Sequence, residues 1–82
     1  MRLKGMITEE RLAEIAKASR MAAKKTKALA GRELNVSRMT IHQAEECPDV
    51  SLTKLRCRMI EMYSGFNVIG PVFMLERKKR SG

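Results

Sequence analysis

The stretch from Thr26 to Glu45 constrains this chain more than any other, because it reads as two short helices around a tight turn. Thr26 is placed to cap the first helix. Leu29, Ala30 and Leu34 supply a narrow apolar stripe at helical spacing. Asn35 stands where the chain must turn, and asparagine tolerates the left-handed conformation better than most non-glycine residues. Val36 fills the corner. Ser37 caps a second helix whose inner edge is Ile41, Ala44 and the stem of Glu45. Gly31 costs about 1 kcal/mol in a helix interior relative to alanine, so its presence points to two helices crossing closely there.

The rest of the chain supports a small helical domain. Its 82 residues suffice for one domain. A chain of this size buries only about 60% of its unfolded surface, so dimerisation is an expected source of stability. Seven methionines and only three aromatic residues, Tyr63, Phe66 and Phe73, describe an adaptable helical core. Residues 1–6 read as a lead-in. Thr8 caps a first helix, with Glu9 and Glu10 at its positive end. Leu12, Ile15, Ala16, Ser19, Ala22 and Ala23 share one face, and Lys24 and Lys25 end this helix. Pro48 stops helix at Cys47 and places a loop there. Ser51 is expected to cap the next helix, with Leu52, Leu55, Met59, Ile60 and Tyr63 at core spacing and Gly65 as its stop. Met59, Met62 and Phe66 form a second, overlapping edge.

Charge narrows the class of partner. Seventeen basic and nine acidic side chains give +8. Residues 1–34 carry nine basic and four acidic groups (+5), residues 35–64 four of each (0), and residues 65–82 four and one (+3). The bland reading is solubility; the sharper one is a polyanion such as nucleic acid. Cys47 and Cys57 lack metal-ligand spacing and the single histidine is His42, so neither a metal nor another cofactor is expected. Two thiols in a methionine-rich chain fit a reducing cytoplasm. No apolar run is long enough to span a membrane and no signal peptide is evident. No glycine-rich phosphate loop, carboxylate pair or nucleophile partner for His42 appears, so an enzyme is not expected.

The segment Phe66–Leu75 is rich in strand formers and apolar on both faces. Phe66, Val68, Val72 and Met74 fall on one face; Ile69, Phe73 and Leu75 fall on the other. No second strand is evident in the chain. A local hairpin at Gly70-Pro71 would give strands of about four residues, marginal alone. Pairing with the same strand of a second copy about a two-fold axis satisfies both faces and the backbone. The expectation is therefore one dimerisation strand at 66–76, with Met59 and Met62 extending the interface, followed by a basic tail at 77–82. That tail has three readings: a solvated end, a minor-groove arm, or general attraction to DNA.

The run T-K-A-L-A-G-R-E-L-N-V-S-R-M-T-I-H-Q-A-E resembles the helix-turn-helix of the Cro and lambda-repressor-like family, whose pattern is T-Q-x-x-L-A-x-x-L-G-V-S-x-x-T-I-x-x-x-E. Thr26, Leu34, Val36, Ser37, Thr40, Ile41 and Glu45 match. Ala30-Gly31 replaces the family's Leu-Ala, Asn35 its turn glycine, and Lys27 its glutamine. The likeness continues weakly through Ser51–Leu55, covering roughly residues 10–64. It implies a mainly α, lambda-repressor-like bundle of four to five helices over residues 1–65, with the motif at about 26–46 and the C-terminal strand pairing across a dimer. It also implies that Arg20 pairs with Glu45 between the first helix and the recognition helix. The implied function is a homodimeric, phage- or plasmid-type repressor, autoregulating, on a two-fold double-stranded operator.

Arg38, Met39, His42 and Gln43 would then face the major groove, with Ser37 and Thr40 near the backbone and Lys24, Lys25, Thr26 and Lys27 at the phosphates. The alternative is the DNA-binding antitoxin of a toxin–antitoxin operon, with a toxin protein as partner; the chain offers little room for a toxin-binding arm. RNA binding is disfavoured by the shortage of exposed aromatics.

Overall fold

A computed structural model describes residues 7–69 and 74–77, with side chains through Val68. Four helices run in order: α1 (Glu9–Ala22), α2 (Lys27–Leu34), α3 (Arg38–Glu46) and α4 (Thr53–Ser64). Two short strands follow, β1 (Phe66–Ile69) and β2 (Met74–Arg77). The protein is thus mainly helical, as expected. No helix among the described residues is long and apolar enough to cross a membrane.

The first three helices start where local chemistry places them. The Thr8, Thr26 and Ser37 hydroxyls accept from the backbone amides of Arg11 (3.1 Å), Leu29 (3.1 Å) and Thr40 (3.0 Å). Each therefore satisfies a donor that the helix itself cannot. Asn35 is left-handed (φ 60°), and the amides of Val36 and Asn35 bond back to the carbonyls of Gly31 and Arg32. That is the double closure of a Schellman end. The end of α1 repeats it with a less suitable residue. Lys24 takes φ 59°, and the amides of Lys24 and Lys25 close on Met21 and Arg20. The sequence showed no breaker here because lysine seldom adopts this conformation.

Four elements differ from the sequence-based expectation. Ser51 does not cap α4. The cap position is Leu52, which makes no side-chain cap bond. Leu52 instead packs against the core, and the hydroxyl of Thr53 donates to Glu9 Oε2 at 2.8 Å. Met59 is fully buried in the core and is not part of an outward edge. On α1 the buried alanines are Ala13 and Ala16, while Ala22 is exposed. Finally, the C-terminal segment is not one strand. β1 pairs antiparallel with β2 in the register Phe66↔Arg77, Asn67↔Glu76, Val68↔Leu75, Ile69↔Met74. Joining two four-residue strands through a four-residue link closes a short loop at small entropic cost. Pairing within the chain thus meets the same backbone groups that a second copy would. Val72, Phe73 and residues 78–82 lie outside the described residues, as do the side chains of Ile69, Met74 and Leu75.

The core gathers Leu12 and Ala16 of α1, Ala30 and Leu34 of α2, Ile41 and Ala44 of α3, and Leu55, Met59 and Ile60 of α4, with Ile7 beneath. Val36, Tyr63, Phe66 and Val68 pack on its rim. At its edge sits a charged side chain with no exposure at all. Arg56 donates to the carbonyls of Ala44 (2.8 Å), Cys47 (2.7 Å) and Val50 (3.0 Å) and to Glu9 Oε1 (2.9 Å). One guanidinium thereby ties the end of α3, the following loop and the start of α1 to α4.

Gly31 is small because α2 closes there on the turn and on the start of α3. A Cβ there would stand 2.7 Å from the Val36 carbonyl oxygen and 3.3 Å from the Arg38 amide nitrogen. Both are backbone atoms, so the turn itself would have to move. Gly31→Ala is expected to destabilise the fold, because overpacking of about 1–3 kcal/mol outweighs a helix-propensity gain of about 1 kcal/mol. A thermal midpoint higher than that of the parent would contradict this assignment.

Candidate nucleic-acid interface

The inner edge of α3 is anchored and its outer face is open. Ile41 and Ala44 have no exposure and Glu45 has 5%. On the opposite side Arg38, Met39 and His42 are exposed and Gln43 is half-buried. Met39 is the clearest case, because an unbranched apolar side chain left 58% exposed contributes little to folding. At the helix start the Ser37 and Thr40 hydroxyls lie 2.8 Å apart, so both are occupied with the cap.

A basic side chain at the start of α2 meets this face. Lys27 Nζ lies 2.8 Å from His42 Nδ1, which joins the first turn of α2 to the middle of α3. Lys25 Nζ reaches Glu33 Oε2 at 3.3 Å, and Lys24 is exposed. Thr26 is exposed and used as the cap. Residues 24–43 hold five basic groups (Lys24, Lys25, Lys27, Arg32, Arg38) against one acidic group (Glu33), a local +4. Ten positions singled out from sequence (Lys24, Lys25, Thr26, Lys27, Ser37, Arg38, Met39, Thr40, His42, Gln43) therefore fall on two consecutive helices and the loop before them.

What holds the lysine loop against α3 is a buried ion pair. Arg20 Nε and an Nη donate to the two carboxylate oxygens of Glu45 at 2.5 and 3.0 Å. The remaining Nη donates to the Lys25 carbonyl at 2.8 Å. The Arg20 and Glu45 side chains are 10% and 0% exposed. The pair expected from the resemblance is present, and its third bond, to the loop, is an addition. Hydrogen bonding to Glu45 strengthens the hold of Arg20 on its proton.

Two further contacts frame the site. Lys17 and Glu46 pair at 2.7 Å on the surface. Their hydrogen bond and mutual charge raise the lysine pKa and lower the carboxylate's. Tyr63 donates to Glu33 Oε1 at 2.6 Å, linking α4 to α2. Burial and that bond push the phenol far above its ordinary range, while the phenol's donation lowers Glu33. Sequence pattern did not reveal these links, because each joins residues about thirty positions apart.

Two concave regions among the described residues lie elsewhere. One is bounded by Thr8, Glu9, Glu10, Pro48 and Asp49, and another by α1 and the end of α4, including Ile15, Tyr63 and Phe66. Neither is lined by a histidine or a cysteine. Cys57 is half-buried, and burial raises its thiol pKa. No cluster of three or more His, Cys, Asp or Glu side chains is placed to hold a metal among the described residues. Comparison with protein-family models, with curated proteins and with solved structures gave no match.

Proposed function

We propose that this protein binds double-stranded DNA sequence-specifically through a helix-turn-helix formed by α2 and α3, and acts as a homodimeric repressor by occupying a two-fold operator. The observation that carries this reading is the open Arg38–Met39–His42–Gln43 face of α3 together with a loop and helix start (residues 24–27) of local charge +3. A helix with such a face fits the major groove, where its first turns meet base edges. Arg38 suits guanine O6 and N7, Gln43 suits adenine, and Met39 suits a thymine methyl. Lys24 and Lys25 suit phosphates, which position the protein without reading sequence. Protection of the DNA upstream of its own gene, measured at several salt concentrations, tests the reading. Phosphate contacts require affinity to fall steeply with salt. A protein that protects no duplex, or binds all duplexes alike, would overturn it.

Two substitutions separate specificity from attraction. Arg38→Ala should cost about 1–3 kcal/mol at one base position and relax preference there. Lys24→Gly should weaken binding similarly on every sequence and lower the salt slope by about one. It should also stabilise the fold by up to about 1 kcal/mol, because glycine accepts the left-handed conformation that lysine is forced into. Titration against single-base operator variants distinguishes them, and an equal effect of Arg38→Ala on all variants would remove that side chain from the readout.

The dimer contact we propose is the outer edge of β2. The β1 amides of Phe66 and Val68 are already taken by Ser64 Oγ (3.1 Å) and Glu61 Oε2 (3.0 Å). Among the described residues β2 has a strand on one side only. An unpaired edge is a template for a second chain, and antiparallel pairing about a two-fold axis is self-complementary. Met62, 50% exposed on α4, offers further apolar surface. The recognition helices would enter successive major grooves about 34 Å apart. Removing residues 66–82 should yield a monomer, with operator affinity greatly reduced. Sedimentation of the truncated chain as a stable dimer with undiminished binding would exclude the hairpin from the interface.

A further inference from the structure

We infer that His42 reads a hydrogen-bond acceptor on a base edge through Nε2–H, and that Lys27 is the positioning residue that fixes this tautomer. The inference rests on the DNA-binding reading above. A lysine ammonium has three donors and no acceptor. Its contact with His42 Nδ1 at 2.8 Å therefore requires that nitrogen to be bare. A neutral imidazole with a bare Nδ1 carries its proton on Nε2. Nε2 lies at the far side of the ring from Nδ1, and His42 is exposed on the open face of α3. The nearest acidic side chain one helical turn on, Glu46, gives its carboxylate to Lys17 at 2.7 Å.

The consequence is a directional reader. An imidazole free to exchange tautomers presents either a donor or an acceptor, and so discriminates poorly. With Nδ1 occupied, His42 presents a single donor. In the major groove that donor is met by guanine N7 or O6, adenine N7 or thymine O4, and is opposed by the cytosine amino group. Lys27 keeps two donors in reserve for a phosphate, so one side chain holds the backbone and sets the polarity of its neighbour. A sequence reading that assigns Lys27 only to phosphates misses this second role.

Two measurements test the inference. The chain has one histidine, so the imidazole nitrogen signals in a 15N NMR spectrum need no assignment. The parent protein and Lys27→Arg should show the Nε2–H tautomer, and Lys27→Met a mixture. Selection from a random-sequence duplex library should give a motif with one position per half-site that excludes cytosine. His42→Ala and Lys27→Met should both flatten that position by about two- to tenfold, the size of one hydrogen bond, and leave the other positions as they were. Lys27→Arg should restore it. An Nδ1–H tautomer in the parent protein, or a motif unchanged at every position by His42→Ala, overturns the inference while leaving DNA binding intact. A parent protein that enriches no duplex at all overturns the DNA-binding reading, and this inference with it.

Discussion

Replacing Arg56 with methionine is expected to remove about 3–5 kcal/mol of stability, the cost of breaking a buried charged hub by deleting one partner. Methionine keeps the apolar stem, so packing changes little. The loss comes from the Ala44, Cys47 and Val50 carbonyls and the Glu9 carboxylate, which lose their donor together. A domain of this size has roughly 4–12 kcal/mol in total, so the variant should be close to unfolding or unfolded. Arg56→Lys should recover little, because a single ammonium cannot reach acceptors arranged around a planar fork. Urea denaturation read by circular dichroism measures the change. A midpoint shift equivalent to less than about 1 kcal/mol would mean that water replaces the guanidinium at all its partners.

Glu45→Ala is expected to cost a similar amount, about 3–5 kcal/mol. It leaves the Arg20 guanidinium buried with only the Lys25 carbonyl beside it. Removing both charges should be far milder than removing one. Arg20→Leu combined with Glu45→Leu should regain most of the lost stability, since a buried ion pair is often replaceable by apolar residues of similar size. The double variant should still bind DNA more weakly than the parent. It lacks the bond that holds the Lys24–Lys25 loop beside α3, and misplaced lysines lose phosphate contacts. A double-mutant cycle on stability, run alongside DNA titration, separates the two effects. A Glu45→Ala protein as stable as the parent would reduce this pair to a surface contact.

The single-chain pattern settled what depends on a few neighbouring residues. Thr8, Thr26 and Ser37 cap their helices because a short hydroxyl three residues before an amide meets it wherever the helix sits. Asn35 and Gly65 end α2 and α4 because their own backbone preferences permit a positive φ. The residues proposed to meet DNA were legible for the same reason, since the face of a short capped helix follows from its start.

Tertiary structure decided the rest. Apolar periodicity assigns a charged residue to the surface, so Arg56 escaped notice, although it lies between Leu52, Leu55, Met59 and Ile60 at helical spacing. Charge inside an apolar stripe marks either an error of register or a buried hub, and the carbonyls of α3 and the loop before α4, with the Glu9 carboxylate, made it the second. Arg20, one turn beyond Ala16, was legible only through the resemblance, since periodicity says nothing of a partner twenty-five positions away. Met59 read equally well as core or as interface, because the stripe on α4 is wider than one face. The C-terminal segment shows the limit most plainly. Strand-forming residues determine that the backbone extends, but a strand's amides are indifferent to which chain supplies the acceptor. The short connection between residues 69 and 74 decided in favour of the same chain, by making the intramolecular pairing entropically cheap.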